Sequence, residues 1–158
     1  MAETGMDQID RRILAALQTD ARLTVEKIGA MVGLSASPCA RRIRRLEAKG
    51  VIRGYVAVLD QVKAGLPVSV FASVKLERQR EEDLDRFAAA VARWPEIVDC
   101  YLMTGPRDYL LRIVVRDLEA YEDFLKRRLT RLDGVASIES SFALAQVKQS
   151  TCLPLSEG

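Results

Sequence analysis

The chain has 158 residues, 49% apolar and 29% charged, an ordinary globular composition that argues against disorder. No apolar run approaches the roughly 18 residues needed to span a bilayer, and the opening MAETGMDQIDRR lacks the basic-then-apolar pattern of an export signal. Histidine is absent, which removes the commonest general base and the commonest metal ligand and counts against an enzyme. Three widely spaced cysteines (Cys39, Cys100 and Cys152) suggest reduced thiols and a cytoplasmic protein. The net charge of +2 is uneven: residues 1–60 hold ten Lys/Arg against seven Asp/Glu, and Ser35 to Gly54 holds six basic residues against Glu47 alone.

In chain order, the first 50 residues read as three short helices. Asp7 is an expected N-cap, followed by Ile9, Ile13, Leu14 and Leu17 at helical spacing. Thr24 caps a second helix that carries Val25, Ile28, Met31 and Val32 inward, and Gly33 supplies the turn. A third helix is expected from about Ser37, with Pro38 in its first turn, to Gly50. VIRGYVAVLD then alternates and is rich in β-branched residues, so a strand or short wing is expected there. DQVKAGLP, residues 60–67, has no periodicity and is placed as a linker between domains 1–59 and 68–158.

Beyond the linker, VSVFASVKLE alternates as a half-buried strand, and Leu84, Phe87, Ala88 and Val91 mark a helix that ends at Pro95. IVDCYLM and YLLRIVV flank TGPRD as a hairpin, with Cys100 on the inward side of its strand. Leu118, Tyr121, Leu125, Leu129 and Leu132 repeat the helical spacing, and VASIESSFALAQVK is extended in character. The order β-α-β-β-α-β is that of a ferredoxin-like fold, with two helices on one face of an antiparallel sheet. Its other face would expose Phe71, Leu110 and Val114 in a monomer, so at least a homodimer is expected.

SASPCARRIRRLEAKG places Cys39, Ile43 and Leu46 on one face of the third helix. Arg41, Arg45 and Ala48 lie opposite, Arg44 at the edge, and Arg42 and Lys49 on the flank. A solvated basic face is one reading. The other is a helix-turn-helix whose last helix enters the major groove of double-stranded DNA, with Ser35, Ser37 and Pro38 at its leading end. Arg42 could equally pair with an acid on the first helices.

Several motifs also occur in a telling order. They are D-x-x-D-x-x-I-L-x-x-L at Asp7 to Leu17, VGLSASPC at Val32 to Cys39, RRLEAKGVI at Arg44 to Ile52, TGPRDYLL, and VKQSTCLPL near the end. Over roughly residues 7–155 the chain resembles the Lrp/AsnC (leucine-responsive, or feast/famine) transcription regulators. The resemblance implies a winged helix-turn-helix domain followed by a ferredoxin-like domain that senses amino acids. It further implies dimers joined through the C-terminal sheets, often closing into octamers, with no cofactor or metal beyond an amino-acid effector.

By the same resemblance, the effector sits between dimers near Gly105 and Asp108. A zwitterion needs donors for its carboxylate and an acceptor for its ammonium, which suits a glycine beside an aspartate. Thr104, Ser150 and Thr151 are hydroxyl donors the fold could bring near, and Pro106 and Arg107 fill the variable positions. Arg107 either reaches the effector carboxylate or projects into solvent, and without the resemblance TGPRD reads as only a turn. Two rivals lack support: no acid, base or nucleophile converge for an enzyme, and YLLRIVV lacks the basic-Gly-aromatic pattern of an RNA-binding sheet. An effector-independent, chromosome-organising DNA binder of the same fold stays open as the alternative.

Overall fold

The computed structural model describes residues 5–155. They divide into two compact units, one made of the chain up to Ala57 with the tail from Val147, the other Val58–Gln146. The expected partition at 60–67, with everything beyond it in one domain, differs from this. The tail leaves the second unit because its apolar end has a place in the first, where Leu155 packs against the helical core.

The helical unit contains α1 (Gln8–Thr19), α2 (Val25–Val32) and α3 (Ala36–Ala48). Asp7 caps α1 in a reciprocal box: its side chain accepts from the Asp10 N–H, and the Asp10 side chain accepts from the Asp7 N–H. Thr24 caps α2 through the Lys27 N–H. Gly33 ends α2 at φ 76°, and the N–H groups of Gly33 and Leu34 both return to the Gly29 carbonyl. Gly29 is required by space, because a Cβ there would lie 2.6 Å from the Leu34 oxygen. The core beneath is Ile13, Leu14, Ala16, Ile28, Val32, Cys39, Ile43 and Leu46.

The strand expected in VIRGYVAVLD is not formed. Residues 53–60 have no regular secondary structure, and Val56, Val58 and Leu59 are exposed. Alternation supplies a side-chain pattern, but a strand also needs a neighbour to hydrogen-bond, and this segment has none among the described residues. Part of the expected linker is a turn, Asp60 accepting from the Lys63 and Ala64 N–H groups.

The second unit runs β1 (Val68–Leu76), α4 (Glu81–Val91), β2 (Ile97–Leu102), β3 (Tyr109–Val115), α5 (Leu118–Arg127), a 3-10 turn at Leu129–Arg131, and β4 (Val135–Phe142). The sheet order is β2-β3-β1-β4, antiparallel throughout, which is the expected ferredoxin-like topology. Val70, Ala72, Val74, Leu111 and Ile113 face Phe87, Val91, Tyr121, Phe124 and Leu129 in one core. On the opposite face Phe71 and Leu110 keep partial exposure, but Val114 is buried, contrary to expectation. Its cross-strand partner Ser69 is bonded to Gln61 of the preceding turn, which closes that end of the face.

Cys100 corrects a further expectation. It pairs with Leu111 and so shares the helix-facing side, yet it is exposed. β2 is an edge strand, and facing the core does not bury a residue the helices fail to cover.

Candidate DNA-binding face and effector loop

Ser35 is the N-cap of α3, and its side chain makes no capping hydrogen bond, so its hydroxyl is available to a partner. Ser37 is exposed one turn before Arg41, and Pro38 occupies the first turn half-buried. The four arginines separate into two pairs. Arg42 Nη1 donates to Asp7 Oδ2 at 2.6 Å and to Asp10 Oδ1 at 2.8 Å. Arg45 Nη2 donates to Asp10 Oδ2 at 2.6 Å. Arg41 and Arg44, both exposed, make no ion pair or hydrogen bond among the described residues.

The flank of α3 carrying Arg42 and Arg45 is thus bolted to α1. The strip of Ser37, Arg41, Arg44 and Ala48 lies within about 60° of arc on the solvent side. Placing Arg45 beside Arg41 as an outward-facing residue was incomplete, because it lies between the two sets and bends toward Asp10. Nothing in helical spacing reveals this, although the Asp7-x-x-Asp10 spacing is a capping-box signal that marks where a buried carboxylate would sit. The Asp10 N–H bond, followed by Arg42, holds the Asp7 carboxyl below the usual aspartate range.

The Thr104–Asp108 loop joins β2 to β3. Gly105 has φ 111°, which an L side chain rarely adopts. Thr104, Gly105 and Pro106 are exposed, and the loop is closed by the Met103 N–H bonding the Asp108 carbonyl and the Asp108 N–H bonding the Val74 carbonyl. Among the described residues, the N–H groups of Thr104, Gly105 and Arg107 make no hydrogen bond. Thr104 and Gly105 thus leave two successive N–H groups open to an acceptor, with Pro106 separating them from that of Arg107.

Asp108 turns inward. It is buried, with Oδ2 accepting from the Leu76 N–H at 2.7 Å and Oδ1 from Gln79 at 2.7 Å and Lys75 at 3.1 Å. Burial raises its pKa, but Leu76, Lys75 and Gln79 together outweigh burial and hold the carboxyl below its ordinary value. The expected role of accepting a ligand ammonium thus competes with three bonds already made inside the chain, which tie the loop to the end of β1. Arg107 lies along β4 in an exposed pair, donating to Ser137 at 2.8 Å and Glu139 at 2.7 Å. Ser150 and Thr151 are exposed on the tail and belong to the helical unit, not to the unit that holds the loop. Sequence reasoning missed Lys75, at the end of β1, and Gln79, in the connection to α4, which carry no signal except those positions.

Among the described residues no cluster of His, Cys, Asp or Glu could hold a metal ion, and no helix is long and apolar enough to cross a membrane.

Residues 6–47 match the AsnC-type helix-turn-helix domain, and residues 69–153 match the Lrp/AsnC ligand binding domain. The chain is 46% identical over 155 residues to the Bkd operon transcriptional regulator of Pseudomonas aeruginosa, covering 98% of this chain and all of that one. It is 39% identical over 148 residues to the leucine-responsive regulatory protein of Escherichia coli, covering 94% and 90% of the two chains. A crystal structure of a Neisseria meningitidis transcriptional regulator in complex with L-Met superposes with a TM-score of 0.89 at 38% identity, covering 95% of this chain and 97% of that one.

Proposed function

Because the chain belongs to the Lrp/AsnC family of transcriptional regulators, we propose that it reads operator DNA with α3 and a small amino acid with the Thr104–Arg107 loop. The observation that carries the DNA half is the strip of Ser37, Arg41 and Arg44, without partners among the described residues, on a helix whose inner side is fully packed. Two such helices in a dimer would enter successive major grooves, with half-sites about one helical turn apart. The free N–H groups of Thr104, Gly105 and Arg107, with the Thr104 hydroxyl, suit an α-carboxylate. The L-Met complex of the Neisseria relative supports an amino acid as the ligand. With Asp108 already engaged, the ammonium is accepted by loop carbonyls or by a neighbouring copy.

The open sheet face joins two copies into a dimer, dimers assemble further up to an octamer, and the protein works in the cytoplasm. The effector acts by binding one arrangement of the assembly more tightly than another. No cofactor is needed for this scheme.

A melting panel of the twenty amino acids tests the ligand half. A true effector at 100 times its Kd should stabilise by about 2.7 kcal/mol, and Gly105→Val should abolish that gain. A flat panel for the unmodified protein would leave an effector-independent DNA binder.

A further inference from the structure

Asp10 is fully buried, and its side-chain partners among the described residues are the Asp7 N–H, Arg42 and Arg45. Closing a capping box requires an acceptor, which a neutral side chain also provides, so capping alone does not call for a buried charge. Stability does not call for it either, since a buried ion cluster is often no better than apolar packing. The consequence peculiar to a carboxylate here is that it takes two guanidinium groups out of the four that α3 carries. On the wheel Arg45 lies about 40° from Arg41 and Arg42 about 100°, so without Asp10 the long side chain of Arg45 can swing to the outer face, while Arg42 is still held by Asp7.

We infer that Asp10 is a positioning residue for DNA recognition: it fixes the rotation of α3 on α1 and limits the phosphate-seeking cations of that helix to Arg41 and Arg44. The inference rests on α3 being the DNA-contacting helix. Binding to any sequence grows with each cation that can reach a phosphate, while recognition depends on a fixed orientation at base edges. Withholding two arginines therefore raises the ratio of specific to non-specific affinity.

The test uses the full-length protein and two short duplexes, one of random sequence and one selected by the protein from a random pool. Binding is measured by fluorescence anisotropy across a salt series. Asp10→Asn should steepen the salt dependence on the random duplex. The freed Arg45 adds about 0.9 to the slope, or a further loss of about threefold between 50 and 200 mM salt, whereas Arg42 keeps its bond to Asp7. Preference for the selected duplex should fall by about tenfold, the scale of one lost base contact.

Arg42→Gln and Arg45→Gln, tested singly, should leave the slope unchanged, whereas Arg41→Gln and Arg44→Gln should each lower it by about 0.9. A folded Asp10→Asn protein with unchanged slope and preference would reduce Asp10 to a structural residue and overturn the inference. If Asp10→Asn fails to fold, the single arginine variants decide: a slope lowered by Arg42→Gln or Arg45→Gln overturns it, and an unchanged slope supports it. Unaltered binding in the Arg41→Gln, Arg44→Gln double variant would instead overturn the reading of α3 itself.

Discussion

Asp10 and Asp108 are the two buried carboxylates among the described residues, and each joins elements distant in sequence. Asp108→Ala would leave the Leu76 N–H without its acceptor and Lys75 without its counter-ion. A cost of about 1–3 kcal/mol follows, because Lys75 is partly solvated and the loss lies mainly in the orphaned N–H. Chemical denaturation of the two proteins checks this. The same variant should also lose any amino-acid response, since the loop it anchors is released.

The folded carboxyls of Asp7 and Asp108 titrate below their unfolded values. Their contribution is therefore complete above the unfolded pKa of about 3.9 and disappears as pH falls through the folded value. The melting temperatures of the unmodified protein and Asp108→Asn should differ most near neutral pH and converge below about pH 4.

At the scale of elements, the α2–α3 turn depends on two glycines for two different reasons. Gly33→Ala places a side chain at φ 76° and should cost about 1 kcal/mol. Gly29→Ala drives a Cβ into the Leu34 carbonyl, so the turn must move, at about 1–3 kcal/mol. Gly29→Ala should also weaken DNA binding, because that carbonyl belongs to the residue leading into α3. Denaturant melts with anisotropy binding separate the two effects.

The role of Gly33 was legible in the sequence, since a glycine after a periodic run reads as a helix end. That of Gly29 was not, because a glycine inside a helix shows its reason only when the neighbouring backbone is in place. The tail is a comparable case. Gln18 accepts from the Leu153 N–H at 2.6 Å and donates to the Leu153 carbonyl at 3.2 Å, a two-point clamp over 135 positions that no local pattern announces. Gln18→Ala should loosen the tail, and Cys152, whose thiol donates to the Gln18 carbonyl, should then be alkylated faster.

For the whole molecule, the partly exposed Phe71 and Leu110 on the open sheet face set the expectation of assembly. Phe71→Asp should lower the sedimentation coefficient of the protein, and with it the affinity for a duplex carrying two half-sites, because the two α3 helices would then bind independently. An unchanged sedimentation coefficient would place the contact between copies elsewhere.

The sequence by itself determined the architecture. Periodicity, caps and turn residues encode three helices and a βαββαβ order, and the inner stripe of α3 followed from 100° per residue. These are local or repeating signals, written within a few positions of the structure they specify. The tertiary structure decided which charges remain available. It assigned Arg42 and Arg45 to Asp10, Asp108 to the end of β1, Arg107 to β4 and the tail to α1, and it left Cys100 uncovered at a sheet edge. The physical reason is that pairing and burial depend on distance in space, and residues 30 or more positions apart leave no trace of their proximity in the order of a single chain.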